Sequence, residues 1–145
     1  MAPFRLQRRS PLSAGQAWQR VTDWQRQGRQ VPLTRITVTP PPPSRVGTMV
    51  VARTALGRAG FDDPMEIVLW EPPDGGRPGR CRLEKRGRAV LGWAEIEVVP
   101  DGDGSVVRWC EDLRVRHLPG LLDGPTRWSG RLVFGRALRR LLADG

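Results

Sequence analysis

The chain has 145 residues, 39% of them hydrophobic, and 24 Lys+Arg against 15 Asp+Glu give a formal charge of +9. That length fits one domain over 1–145 that buries about 70% of its unfolded surface, and no apolar run approaches the roughly 20 residues of a membrane-spanning helix. Two cysteines and one histidine exclude a disulfide scaffold and leave too few ligands for a Cys/His zinc site, so neither metal nor cofactor is expected.

The opening MAPFRLQRRSPLSAG carries arginines but no apolar h-region, which argues against a secretory signal and makes the cytoplasm the default. Phe4 and Leu6 alternate with polar neighbours, the period of a half-buried strand. From Ser13 the period changes. Ala17, Trp18, Val21 and Trp24 fall at helical spacing, Ser13 suits the N-cap, and Gly28 is expected to end the helix. LTRITVT then predicts a strand with Ile36 and Val38 on one face, and Pro40 to Pro43 predict a stiff connection without ladder donors.

GTMVVARTAL is the next strand. LGRAGFDD reads as a Gly-rich turn, with Asp62 and Asp63 bonding local N–H groups before Pro64. PMEIVLWE is a strand that places Met65, Ile67 and Leu69 together. After the loop PPDGGRPG, CRLEKRGRAV and LGWAEIEVV read as strands, DGDG as a tight turn and SVVRWCEDLRVR as the last strand. Beyond LPGLLDGP the helical period returns. Leu121, Trp128, Leu132, Leu138 and Leu142 share a stripe, and arginines cover much of the rest. The order predicts an α+β domain in which a curved, seven-stranded antiparallel sheet wraps a long C-terminal helix (β-α-β6-α), with space between them for an apolar ligand.

Three segments, GFDDPMEIVLWEPP, RCRLEKRGRAVLGWAEIEV and VVRWCEDLRVRHLPGLL, together resemble the START-like, helix-grip (SRPBCC) superfamily. The resemblance is to its polyketide cyclase/dehydrase and lipid-transport type, in particular small actinobacterial members of unassigned function. It extends from Arg5 to Leu142 and includes the strand–helix entry SPLSAGQAWQRVTDWQRQGRQVP, where Gln30 replaces a Trp common in the family. It implies the same element order and a cavity under the last helix. No reaction is implied, because members cyclise polyketides, carry lipids or bind proteins, and fold alone does not assign function.

Alternation decides which side chains face that cavity. In the last strand Val107, Trp109, Glu111, Leu113 and Val115 share the inward face, and in the preceding one Ala94, Ile96 and Val98 do. Glu95 and Glu97 then point outward to oppose Arg108 and its neighbours, with Trp93 against arginine stems. Cys81 and Leu83 face inward. Cys81 and Cys110 lie two strand spacings apart, roughly 10 Å, so no disulfide is expected. Glu111 is the one inward carboxylate. Either it pairs with an arginine on a neighbouring strand, or its desolvated carboxyl contacts ligand or serves as a general acid or base. His117 reads as a capping or surface residue.

The expected pocket comprises Trp24, Met65, Leu83, Trp109 and Glu111, with Trp128 and Leu132 from the terminal helix. Val31 and Leu33 would form its edge, while Arg26 and Arg29 are solvated. The first functional expectation is binding of a hydrophobic or aromatic small molecule, polyketide-like or lipid-like. The alternative is a cyclase or dehydratase with Glu111 as its catalytic acid. A third reading takes the arginine face of the last helix as an interaction surface. Lys85 is the only lysine and the cations are spread along the chain. That pattern disfavours nucleic acid and leaves at most a weak attraction to anionic membrane surfaces. Oligomeric state is left open.

Overall fold

A computed structural model describes residues 4–31, 33–56, 59–88, 90–115, 139–140 and 142. The chain runs β1 (Phe4–Ser10), α1 (Ala14–Val21), α2 (Trp24–Arg29), β2 (Thr34–Thr39), β3 (Met49–Leu56), β4 (Ala59–Glu71), β5 (Gly79–Lys85), β6 (Val90–Asp101) and β7 (Gly104–Val115). The strands form one antiparallel sheet in the order β1-β7-β6-β5-β4-β3-β2. Strands β2 to β7 are a meander, and β1 returns to the free edge of β7 with Leu6 opposite Trp109 and Phe4 opposite Glu111. The apolar stripes of α1 and α2 pack on this sheet, so Ala17, Trp18, Val21 and Trp24 join one core with Ile67, Leu83, Ile96, Val107 and Trp109. Leu142 belongs to the same core. Trp128, Leu132 and the arginine-rich stripe of the expected terminal helix lie outside the described residues.

Helix α1 begins as its sequence dictates. Ser13 Oγ accepts from Gln16 N at 3.2 Å while Gln16 Oε1 accepts from Ser13 N at 3.2 Å, a reciprocal capping box. The helix stops earlier than Gly28, however. Asp23 caps a separate helix, its Oδ1 accepting from Arg26 N at 3.2 Å, and Gly28 lies inside α2. The reason Gly28 is glycine is packing: a Cβ there would stand 2.9 Å from Ile36 Cγ1 on β2. Leu33 takes a left-handed conformation (φ 60) and is 59% exposed, so it is surface rather than pocket edge.

Two further expectations fail in β4. Most of the segment read as a turn is strand: Leu56 ends β3, Ala59 to Asp63 open β4, and the two strands pair from Leu56↔Ala59 through Arg53↔Asp62 and Ala52↔Asp63. Hairpin pairing with β3 outweighs the turn preference of Gly and Asp, and Arg53 Nη1 donates to Asp62 Oδ1 at 2.9 Å. The second concerns Leu69. Pairing of β4 with β5 shifts between Ile67↔Leu83 and Leu69↔Arg82, which inserts one residue and reverses the facing of the residues beyond it. Trp70 therefore pairs with Cys81 and turns to the core, where its ring meets Trp18 at 5.1 Å with a 60° tilt. Gly79 leaves the room this needs, since a Cβ would lie 2.7 Å from Trp18 Cε3.

On the convex side the expected charge ladder forms. Arg108 Nη1 donates to Glu97 Oε1 at 2.9 Å, and Arg82 bonds Glu95 and lies 4.6 Å over the Trp93 ring. Gly92 is where β6 most constrains its sequence. Its φ is +126, and a Cβ would fall 1.7 Å from the Asp112 carbonyl oxygen. Gly92→Ala is expected to lower unfolding free energy by on the order of 3 kcal/mol or more, against about 1 kcal/mol for Ser13→Ala. Urea unfolding of the two variants checks this, and equal losses would show that β6 relaxes around the clash.

Candidate functional site

Because β7 is paired on both edges, its alternate residues have no choice of face. Trp109 and Glu111 point to the concave side and are buried, with Glu111 only 3% exposed. The same alternation brings Met65 from β4 and Leu83 from β5 to that side. Leu83 and Glu111 both flank Ala94, so one small side chain separates them across β6. Cys81 is buried there too. Burial, with Glu95 secondary, pushes its thiol up to about 12, which makes it a packing group and not a nucleophile. Cys81 and Cys110 are both free thiols, as the strand spacing required.

The partner of Glu111 is not the neighbouring arginine anticipated as its structural role. It is Lys85, the only lysine, from β5. Lys85 Nζ donates to Asp63 Oδ2 at 2.7 Å, lies 3.6 Å from Met65 Sδ and stands 4.0 Å from Glu111 Oε2. Trp109 Nε1 donates to Glu111 Oε1 at 3.2 Å. Asp63, placed by sequence in a turn, is instead a concave-face residue of β4. The parity that sends Cys81 and Leu83 inward sends Lys85 inward as well, and the parity of Met65 and Ile67 carries Asp63. That signal was present, but a lysine stem and an Asp-Asp-Pro sequence suggested surface chemistry.

The cluster is incompletely bonded. Asp63 Oδ1 and Glu111 Oε2 are buried without a hydrogen-bond partner among the described residues. Each such oxygen costs about 1–3 kcal/mol when nothing answers it. Glu111 responds electrostatically: burial raises its pKa, while Lys85 and the Trp109 N–H oppose the rise, and Asp63 and Asp112 add to it. A desolvated carboxyl beside a lysine can donate to an oxygen when protonated and take up a proton when ionised.

Of the other pocket residues, Trp24 is buried in the shared core and its indole N–H donates to Ser44 Oγ at 3.0 Å. A cleft of about 240 Å³ opens between the start of α1 and the β6–β7 turn, lined by Ser13, Gly15, Pro100 and Asp103 among others. None of its lining residues belongs to the cluster, and its one ionisable residue, Asp103, is exposed. Among the described residues no set of His, Cys, Asp or Glu is placed to hold a metal, and no helix is long and apolar enough to cross a membrane.

The raised pKa of Glu111 has a thermodynamic consequence. The folded state holds this proton more tightly than the unfolded state, so the contribution of Glu111 to stability is present below its ordinary value of 4.5 and is lost as pH rises above it. Glu111→Gln does not titrate. The stability of the Gln variant relative to the parent should therefore increase between about pH 4 and pH 8. Urea melts across that range check the sign; a constant or falling difference would contradict the burial of an uncompensated carboxyl.

The profile of the family described as polyketide cyclase/dehydrase and lipid transport matches residues 1–145. No curated protein matches the sequence. Among solved structures, a START superfamily protein from Mycobacterium smegmatis superposes with TM-score 0.72 at 12% identity, over 99% of each chain. A protein of Thermus thermophilus gives 0.72 at 14% identity, also over 99% of each. Norcoclaurine synthase from Thalictrum flavum, in complex with dopamine and hydroxybenzaldehyde, gives 0.62 at 17% identity over 98% of this chain and 86% of the other. At these identities the likeness is one of fold.

Proposed function

As the chain belongs to the polyketide cyclase/dehydrase and lipid-transport family, we propose that it binds a hydrophobic or aromatic small molecule against the concave face of its sheet. The observation that carries this reading is the pair of unanswered carboxylate oxygens, Asp63 Oδ1 and Glu111 Oε2, buried on a face otherwise built from Met65, Leu83 and Trp109. A face serving only as packing has no use for groups that each cost free energy to bury. A binding face does, because a few placed polar groups among apolar walls orient a ligand. That norcoclaurine synthase, of similar fold, is found in complex with two aromatic compounds supports the aromatic class. Met65, Leu83, Trp109 and Glu111 are assigned to the contact surface. Trp24 supports it from behind, and Trp128 and Leu132 are assigned to its far wall.

Native mass spectrometry of freshly purified protein should find a retained apolar molecule, and Nile red should bind saturably. Leu83→Trp, which fills the concave face, should weaken Nile red by about tenfold or more while unfolding stays cooperative. Absence of both a retained molecule and saturable dye binding would overturn the proposal.

A second reading, a cyclase or dehydratase, is favoured by one observation: Glu111 is a buried carboxyl 4.0 Å from Lys85, and its burial raises its pKa. In such an enzyme Glu111→Gln costs roughly a hundredfold or more in turnover of a polyketone chain. Unchanged turnover would leave binding as the whole function.

A further inference from the structure

The separation of Lys85 Nζ from Glu111 Oε2, 4.0 Å, is too long for a direct hydrogen bond. It is the right length for something else. An oxygen atom placed about 2.8 Å from both would see them at an angle of about 90°, within ordinary hydrogen-bond geometry. We propose that this gap seats a carbonyl or enolate oxygen of the bound molecule, held by Lys85 Nζ on one side and the Glu111 carboxyl on the other. The cargo is then a ketone-bearing ring or chain and not a plain hydrocarbon. This inference rests on the concave face being a ligand site, as proposed above.

Among the described residues, the hydrogen bonds of each neighbouring group point away from the gap. Lys85 has three N–H donors. One is used on Asp63 Oδ2 at 2.7 Å, and Met65 Sδ lies at 3.6 Å. Asp63 thereby fixes where the amine stands and is a positioning residue. Glu111 Oε1 is taken by the Trp109 indole N–H, which requires an acceptor there. For a neutral carboxyl this network assigns the proton to Oε2, the oxygen without a partner. With Glu111 carrying its proton, the gap is lined by an N–H and an O–H, two donors suited to one carbonyl oxygen. Ala94 lies on β6 between Leu83 and Glu111, and Gly92, two residues before it, has no side chain, so nothing from β6 reaches across the lane. A site whose buried donors need an oxygen penalises a ligand of the same shape that lacks one, because both donors are left unpaired.

Two shape-matched probes test this, 2-acetylnaphthalene and 2-isopropenylnaphthalene, in which the carbonyl oxygen of the first is a methylene group in the second. Displacement of Nile red from the intact chain gives both affinities. The ketone is expected to bind roughly tenfold to a hundredfold tighter, and the ratio should fall to near one in Glu111→Leu. Lys85→Met alone strands Asp63 and risks unfolding, so the second variant is Lys85→Met combined with Asp63→Asn. Its ratio should also fall to near one while the hydrocarbon still binds, which certifies the fold. Equal affinities in the parent protein overturn the oxygen seat and leave the ligand site standing. Failure of both probes to displace the dye overturns the ligand site and the seat together. A ratio that persists in both variants overturns the assignment to these residues.

Discussion

Pairing of β7 on both of its edges is the constraint that sets the geometry of the concave face. With β1 on one side and β6 on the other, β7 cannot rotate or slip without losing two ladders at once. A slip of one residue would send Trp109 and Glu111 to solvent and bring Arg108 and Cys110 into the core. The first strand of the chain therefore does more than extend the sheet. By sealing the edge of β7 it holds the buried carboxyl in register with the lysine two strands away.

That carboxyl is expensive. Glu111 lies among Trp109, Leu83 and Ala94, with one oxygen bonded and one not, and burial disfavours its ionised form more than Lys85 restores it. Lys85 is itself claimed first by Asp63. The result is a triad in which one charge pair is made and a third group is left neutral or partly answered. Buried ion pairs contribute little net stability against well-packed apolar residues. Retaining three such groups on one apolar face points to a use other than folding. The convex side shows the contrast, where the arginines and glutamates of β5, β6 and β7 pair in solvent at little cost.

Local signals read well wherever local physics was in charge. The Ser13 capping box, the strand alternation of β6 and β7, the outward Glu95 and Glu97, and the separation of the two cysteines follow from period and spacing alone. The errors cluster where partners distant in sequence overrule a local preference. Gly28 is a glycine because of Ile36 on β2, not because a helix ends there. Asp62 and Asp63 stand in a strand because β3 pairs with them. Trp70 replaces Leu69 on the core face because an extra residue enters β4 against β5, and no periodicity within β4 announces that shift.

What the sequence determined by itself was the order of the strands with a helical segment after the first, the facing of Ala94 to Val98 and of Val107 to Glu111, and that Glu111 points inward. Hydrophobic period and capping chemistry act between near neighbours, so they are written in any short window. Which cation meets that carboxylate was decided only by the tertiary structure. Lys85 and Glu111 come from strands with β6 between them, and their approach depends on the register of two ladders, on the glycine and alanine of β6, and on Asp63 holding the lysine in place. Cross-strand register is a property of the assembled sheet, and no single segment contains it.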